Sequence, residues 1–215
     1  ETLQYLPPKK GVFTGSPIRS SLLHGDRKRA ADFTSMRKGD YPYILVVGGS
    51  LGAQHINDAV RSVLPAILPK FNVIHLCGRG KVDPTLNNTD GYMQYDYIDK
   101  EMADLYALSD IVISRAGSNA IFELLALNKP NILIPLPSAS SRGDQILNAK
   151  KKKKTGYSFV LKEENLTDKS LVNAINTVYE NRAEYTDTMS KAEEINAVDK
   201  ICRLIDEYVT KKENE

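Results

Sequence analysis

Residues 48–53, with the sequence GGSLGA, constrain the fold of this chain more than any other stretch. They follow an apolar run, Tyr43–Val47, and precede a helical pattern that begins near Ala53. A strand that ends at glycines and turns at once into a helix often holds a phosphate, because backbone N–H groups and the helix N-terminus face the anion. Ser50 adds a hydroxyl. A tight turn without a ligand fits equally well, and neither the dinucleotide fingerprint nor the P-loop is present.

From residue 41 onward, short apolar runs alternate with longer amphipathic segments. The predicted strands are 43–47, 72–77, 93–98, 111–114, 131–135 and 158–161, and the predicted helices are 53–68, 100–108, 118–127, 143–155, 168–180, 183–192 and 194–211. Most of the runs are apolar throughout, which is typical of strands covered on both faces. The alternation predicts an α/β fold with a Rossmann-like, doubly wound parallel sheet.

The 215 residues suffice for one domain or slightly more. Residues 1–40 are irregular and charged, and we expect an interdomain leader in which 12–14 form a short strand and 26–38 a short helix. Residues 41–192 are predicted as the Rossmann-like domain, and 193–215 as a C-terminal helix with a frayed tail. The chain begins with Glu1 rather than Met, so we expect a fragment or a processed form.

Composition excludes several classes of function. The net charge of +2 gives no general case for nucleic acid, and three histidines are too few for a His-rich metal site. No apolar run approaches the length of about 20 residues that a membrane span needs, and no signal peptide is visible. Cys77 and Cys202 are far apart and are predicted to be small buried hydrophobes.

Ligands of such sheets bind beyond the carboxyl ends of the strands, so the residues after each run are the candidates. Residues 114–119, SRAGSN, lead into a helix that carries Glu123, and residues 140–145, SSRGDQ, precede Asn148. Glycines at 49 and 117 each stand before a helix. One edge of the sheet therefore has two anion-binding loops, which suits a diphosphate with a sugar on each side.

Residues 150–154 are five consecutive lysines at a predicted helix end. Such a run favours a solvated helix face that stabilises the helix C-terminus electrostatically. Attraction to an anionic membrane surface, at about 1 kcal/mol per cation, is the less favoured interpretation.

Taken together, the loops resemble a known family. GGSLGA at 48–53, SRAGS at 114–118 with Glu123, and GDQ at 143–145 with Asn148 occur in the order and at the spacing of the carboxyl-terminal half of the MurG family. Residues 15–19, GSPIR, resemble the segment that joins the two halves of that family. The resemblance covers residues from about 11 to 210.

The resemblance implies one half of a GT-B glycosyltransferase fold, the half that holds the UDP-sugar donor. The family transfers N-acetylglucosamine from UDP-GlcNAc to lipid I, forming lipid II of peptidoglycan, as a peripheral protein of the cytoplasmic membrane face. The amino-terminal half holds the acceptor, the catalytic residues and the main membrane contact. The resemblance thus implies that this chain is a soluble piece of an inverting hexosyltransferase that binds UDP-GlcNAc without transfer. No acidic pair stands beside the phosphate loops, so we expect no essential metal in the donor site, and we expect no cofactor and no nucleic-acid partner.

The resemblance also implies roles for individual residues. Ser50 would meet the diphosphate, and Ser118 the phosphates and sugar. The Ile98 backbone would bind the uracil edge, and Glu123 would accept hydrogen bonds from the ribose hydroxyls. The remaining roles are those of Tyr97 and Arg19 near the base and of Gln145 and Asn148 at the sugar hydroxyls, beside Asp144, where some members have a second amide.

Two other functions stay open at this point. One is a different UDP-sugar transferase of related fold, such as one that glycosylates diacylglycerol. The other is a binding subunit, naturally half an enzyme, that pairs with a membrane partner.

Overall fold

A computed structural model describes residue 7 and residues 11–36, 39–49, 54–138, 143–192 and 197–213. In this part of the chain a single parallel sheet has six strands in the order β3-β2-β1-β4-β5-β6. The strands are Tyr43–Val47 (β1), Asn72–Leu76 (β2), Tyr92–Tyr95 (β3), Ile111–Ser114 (β4), Asn131–Leu133 (β5) and Phe159–Val160 (β6). This order is that of the doubly wound Rossmann sheet, so the predicted fold class is confirmed.

Helices connect the strands and cover both faces of the sheet. They are Arg27–Thr34 (α1), Gln54–Ile67 (α2), Met102–Leu108 (α3), Ser118–Ala126 (α4), Asp144–Lys154 (α5), Asp168–Glu180 (α6), Arg182–Ser190 (α7) and Ala197–Glu213 (α8).

The sheet divides the core into two layers, because successive side chains of a strand point to opposite faces. In β1, Ile44 and Val46 pack with α2 and α6 on one face, whereas Leu45 packs with α1, α3 and α4 on the other. All three side chains are fully buried. Burial on both faces explains why the strand sequences are continuous apolar runs rather than alternating ones.

The leading segment is anchored to α3. Arg29 forms a bidentate ion pair with Asp104, at 2.9 and 2.7 Å, and the backbone N–H of Asp26 donates to the same carboxylate at 2.7 Å. The Asp26 side chain in turn caps α1. Gly25 lies so close to α3 that a Cβ atom there would stand 2.0 Å from the carbonyl oxygen of Ala103.

Three expectations from the sequence are wrong in detail. Residues 12–14 are not a strand, and Val12 and Phe13 are exposed instead of paired in the sheet. The third strand ends at Tyr95 rather than at 98, since the chain turns away from β2 there. Cys202 is exposed on α8, although Cys77 is buried as expected.

Helix α8 is amphipathic, and Ala197 at its start is buried. Its apolar side chains Val198, Ile205, Tyr208 and Val209 are between 48 and 63% exposed. Among the described helices, none is both long and apolar enough to cross a membrane.

Candidate functional site

The order of the strands reverses at β1, which pairs with β2 on one side and with β4 on the other. In doubly wound sheets, the crevice beyond the carboxyl ends of the strands at this point is where ligands bind. Gly48 and Gly49 follow β1 there, and Arg115, Ala116 and Gly117 follow β4. The two glycine loops therefore lie at the same edge of the sheet, after neighbouring strands, as the sequence predicted.

A cavity of about 180 Å³ opens on one side of this crevice. The ends of β1 and β2, the loop after β3 and the helices α3 and α4 form its walls. Its lining residues are Arg19, Val47, Gly49, Leu76, Gly78, Asp96, Tyr97, Ile98, Asp99, Met102, Tyr106, Ala120 and Glu123. A cavity with an apolar floor and a carboxylate and a guanidinium on its wall suits a flat, polar-edged ring.

Glu123 is the carboxylate of this cavity and is half-buried on α4. Burial raises its pKa, and the opposing effects of the Arg19 charge and of a hydrogen bond from the Tyr106 hydroxyl are smaller. Tyr106 is 2% exposed, and burial together with the neighbouring Glu123 charge raises the pKa of its phenol. The tyrosine thus stays protonated, and it lines the same cavity as the carboxylate.

Arg19 closes the cavity from the leading segment. Its Nη1 donates to Oδ1 of Asp99 at 3.2 Å, and both side chains are 59% exposed. An exposed pair of this kind contributes little to stability. Its consequence is positional, because it holds the guanidinium beside the loop that contains Ile98.

The start of α4 is suited to an anion. Its N-cap is Gly117, and none of the described side chains caps the helix. The first amides of a helix need acceptors and attract negative charge. A Cβ atom added at Gly49, Gly117 or Gly143 would meet no described atom within 4 Å. These three loop glycines therefore border open space.

Two amides of α5 bind the neighbouring loops. The Oε1 atom of Gln145 accepts from the backbone N–H of Leu136 at 3.1 Å, and Nδ2 of Asn148 donates to the carbonyl of Ala116 at 3.3 Å. These contacts join α5 to the loops after β4 and β5. They place both amides at the same edge of the sheet as the crevice.

Arg115 fixes the loop that precedes α4. Its Nη1 donates to the carbonyl of Ile134 at 3.2 Å and to the carboxylate of Glu163, which His55 also contacts at 3.1 Å. The Arg115 and Glu163 side chains are 11% and 13% exposed. Through these contacts Arg115 joins the loop before α4 to Ile134 and Glu163, which stabilises the loop.

A buried polar network supports the end of β2. His75 lies between the Tyr92 hydroxyl and Oδ1 of Asn57, at 2.9 and 3.0 Å, and Asn57 donates to the carbonyl of Cys77 at 2.9 Å. Burial, with a smaller effect of the Arg61 charge, lowers the pKa of His75 to about 3. The neutral imidazole thus connects α2, β2 and β3 directly behind Gly78, a residue of the cavity wall.

The structure brings four of the predicted site residues together in one cavity: Arg19, Tyr97, Ile98 and Glu123. Ser118 is exposed in the first turn of α4 and does not line the cavity. Gln145 and Asn148 lie on α5, and Ser50 lies outside the described residues. The roles implied for all of these residues stay predictions.

Sequence reasoning missed Tyr106, which lines the cavity with Glu123, and Asp99, which pairs with Arg19. Neither had a signal in the pattern. Tyr106 is one aromatic residue on a helix, and Asp99 is one carboxylate in a loop, so the contacts exist only in three dimensions.

The lysine run is not uniform. Lys150, Lys151, Lys153 and Lys154 are exposed, as a solvated helix face requires. Lys152 is only 4% exposed, and its Nζ lies 5.1 Å from the ring centroids of both Phe122 and Tyr157. Two aromatic faces thus stabilise its charge inside the protein.

Comparison with known proteins finds relatives along most of this chain. The model of the Glycosyltransferase family 28 C-terminal domain matches residues 43–205. A relative from Lachnoclostridium phytofermentans is 54% identical over 207 residues, which are 96% of this chain and 58% of the relative. That relative is called UDP-N-acetylglucosamine–N-acetylmuramyl-(pentapeptide) pyrophosphoryl-undecaprenol N-acetylglucosamine transferase. The chain therefore spans 58% of the length of this relative.

Two solved structures have a similar fold. MurG from Acinetobacter baumannii superimposes with a TM-score of 0.62 at 24% identity, covering 88% of this chain and 53% of that one. UDP-GlcNAc 2-epimerase from Neisseria meningitidis, bound to UDP-GlcNAc, gives 0.65 at 13% identity, covering 95% and 57%. At these identities the likeness shows the fold, which is that of one half of a GT-B enzyme.

Proposed function

This chain belongs to glycosyltransferase family 28, whose C-terminal domain it contains, and on that premise we propose that it binds the nucleotide-sugar donor of an N-acetylglucosaminyltransferase. The donor is UDP-GlcNAc, and the acceptor of the whole enzyme is lipid I, so the product is lipid II. The 54% identity to a relative of that name supports this choice of donor and acceptor.

The observation that carries the proposal is the position of Glu123. It lies in one cavity with Ile98 and Arg19, next to the glycine loop after β1 and in the second turn of α4. A carboxylate with two free lone pairs recognises a diol, and a helix N-terminus recognises phosphate. Ribose at Glu123 would place the base towards Ile98 and the diphosphate towards Gly49 and Gly117.

The proposed reaction is an inverting transfer. The acceptor hydroxyl attacks the anomeric carbon, its proton passes to a base outside this chain, and the bond to the UDP oxygen breaks. Negative charge then grows on the diphosphate. The N-terminal amides of α4 and the hydroxyl of Ser50 would stabilise that charge more strongly in the transition state than in the substrate.

The acceptor site, the base and the main membrane contact are proposed to lie in the part of the enzyme that this chain does not span. Since lipid I is anchored in a bilayer, we place the whole enzyme at the membrane surface as a peripheral protein. The exposed apolar side chains of α8 could pack against that part of the enzyme.

Calorimetric titration of the chain with UDP-GlcNAc, UDP-glucose and GDP-mannose tests the proposal. We expect binding of UDP-GlcNAc, weaker binding of UDP-glucose, which lacks the acetamido group, and no binding of the guanine nucleotide. Equal heats for the three ligands, or none for UDP-GlcNAc, would contradict the proposal.

A further inference from the structure

Glu163 contacts two elements that are far from it in the sequence. It opens a short 3₁₀ helix, Glu163–Asn165, which follows β6. Its Oε1 atom lies 3.1 Å from Nδ1 of His55 on α2, and its Oε2 atom accepts a hydrogen bond from Nη1 of Arg115. These partners precede it by 108 and 48 residues. Because an ionised carboxylate only accepts hydrogen bonds, this one group can hold both donors at once.

Both partners of Glu163 adjoin the glycine loops of the crevice. His55 is the second residue of α2, the helix that comes after residues 48–53. Arg115 lies two residues before Gly117, the N-cap of α4. The strands that precede the two loops, β1 and β4, pair side by side. Glu163 therefore joins the start of α2 to the loop before α4, and we call the side chains of His55, Glu163 and Arg115 the loop bridge.

The loop bridge is anchored at its Arg115 end. The side chains of Arg115 and Glu163 are 11% and 13% exposed, so salt screens their attraction less than it screens a surface pair. Nη1 of Arg115 also donates to the carbonyl of Ile134, the residue after β5. The other end is different, because the His55 side chain is 67% exposed. Removing its imidazole therefore cuts the bridge and leaves the buried ion pair in place.

The residue after Glu163 provides a comparison within the same short helix. The carboxylate of Glu164 pairs with Lys162, two residues earlier, at 2.9 Å. The two side chains are 66% and 62% exposed. An exposed pair between near neighbours contributes little to stability and joins no separate elements. The two glutamates thus have the same charge and adjacent positions, but Glu163 connects the loops.

We propose that Glu163 is a positioning residue that sets the spacing of the two glycine loops for a nucleoside diphosphate. This inference rests on the proposed function, in which both loops meet the diphosphate of the donor. Loops that are already held at the right spacing need no ordering when the ligand binds, so less free energy is lost on binding. A monophosphate reaches one loop and gains nothing from a fixed spacing. Glu163 thus sets the preference of the crevice for UDP over UMP.

Calorimetric titration with UDP and with UMP tests the spacing. We expect the chain to bind UDP more tightly than UMP. In His55→Ala and in Glu163→Gln the affinity for UDP should fall about tenfold, within the range for residues of one hydrogen-bond network, while the affinity for UMP changes less than about twofold. Glu164→Gln is the matched control, because it removes the same charge one residue away, and it should change neither affinity.

The double variant His55→Ala, Glu163→Gln distinguishes a bridge from separate contacts with the ligand. Once one part of a bridge is lost, losing the other costs little, so the double variant should bind UDP about tenfold rather than about a hundredfold more weakly than the parent. Additive losses, equal losses for UDP and UMP, the same losses in Glu164→Gln, or a gain in UDP affinity from a released Arg115 would overturn the proposal. Thermal melting confirms that each variant is folded.

Hydrogen exchange measures the loops without a ligand. Amide exchange in residues 48–55 and 114–118 should be faster in His55→Ala and in Glu163→Gln than in the parent, and unchanged in Glu164→Gln. Unchanged exchange at either loop in the first two variants would also overturn the proposal. A parent chain that binds neither UDP nor UDP-GlcNAc contradicts the donor site and the positioning role together. Variants that keep the preference of a binding parent for UDP overturn the positioning role alone.

Discussion

Glu123 is the residue on which the proposed donor site depends most directly. Removing its charge with Glu123→Gln keeps the size of the side chain and the contact with Tyr106, but weakens the acceptor offered to a diol. Hydrogen bonds to a charged group contribute about 1.5–3 kcal/mol, so we expect UDP-GlcNAc affinity to fall roughly tenfold to a hundredfold. Calorimetry measures this, with Glu180→Gln at the exposed end of α6 as the control. Unchanged affinity in Glu123→Gln would exclude the ribose role.

The raised pKa of Glu123 adds a dependence on pH. Because burial favours the neutral form, the carboxyl begins to protonate at a higher pH than an ordinary glutamate does. The protonated group is a poorer acceptor, so the affinity for UDP-GlcNAc should decrease as the pH falls, and the decrease should begin at a higher pH than for an ordinary glutamate. The Glu123→Gln variant should show a flatter profile of affinity against pH. Parallel profiles would mean that another group causes the loss.

At the scale of elements, two glycines are predicted to differ in function: Gly25 is needed for packing, and Gly117 for ligand binding. Gly25 contacts α3 so closely that Gly25→Ala must displace the backbone, and we expect a loss of about 1–3 kcal/mol in the free energy of unfolding. Gly117 has an ordinary φ of −67° and borders open space. Gly117→Ala should therefore change stability by less than about 1 kcal/mol while its methyl group hinders the diphosphate. Urea unfolding and calorimetry measure both; a donor affinity unaffected by Gly117→Ala would move the phosphate elsewhere.

The network of α2, β2 and β3 makes stability depend on pH through His75. The pKa of His75 is about 3 in the folded protein, against an ordinary value of about 6.5. Well above pH 6.5 the imidazole is neutral in both the folded and the unfolded state, so it does not lower the free energy of unfolding there. Below that pH the unfolded state takes up a proton that the folded state does not, and stability is lost progressively towards pH 3. Between pH 7 and about pH 5 the loss from His75 is about 2 kcal/mol.

Urea unfolding at the two pH values measures this loss, and His75→Gln should lose about 2 kcal/mol less than the parent chain. If the variant does not fold, the ring protons of His75 followed by NMR give the same test, since their shifts should stay constant from pH 7 to pH 5. A histidine that titrates normally would contradict the prediction.

These elements also show what the sequence could predict. Runs such as Ile111–Ser114 are apolar because both faces of the sheet are covered, so the strands, their parallel arrangement and the edge with the ligand loops followed from the pattern. The end of β3 could not be predicted from the pattern, because the apolar residues Tyr97 and Ile98 line the cavity and do not belong to the strand. Tyr106 and Glu123 meet in the cavity from two different helices, and periodicity contains no information on such pairs. The sequence also could not predict that one lysine of the run is buried and four are exposed, because the burial of Lys152 depends on the rings of Phe122 and Tyr157.

At the scale of the whole molecule, binding and transfer should be separable. The crevice of this chain has a carboxylate for a diol and a helix N-terminus for a phosphate. The acceptor site, the base and the second wall of a GT-B cleft are proposed to lie in the part of the relatives that this chain does not span. A site open on one side leaves the anomeric carbon exposed to water and without an oriented nucleophile, so proximity cannot lower the barrier.

We therefore expect the chain to bind UDP-GlcNAc and to transfer no N-acetylglucosamine to lipid I. Donor with a radiolabelled sugar, incubated with lipid I in vesicles and followed by chromatography, measures transfer. The positive control is a full-length relative, such as the transferase from Lachnoclostridium phytofermentans. Lipid II formed by the 215-residue chain alone would contradict the prediction, because the base would then have to lie among its own residues. The candidates for that base would be the carboxylates at the crevice, and Glu123, with its raised pKa, would be the first to substitute.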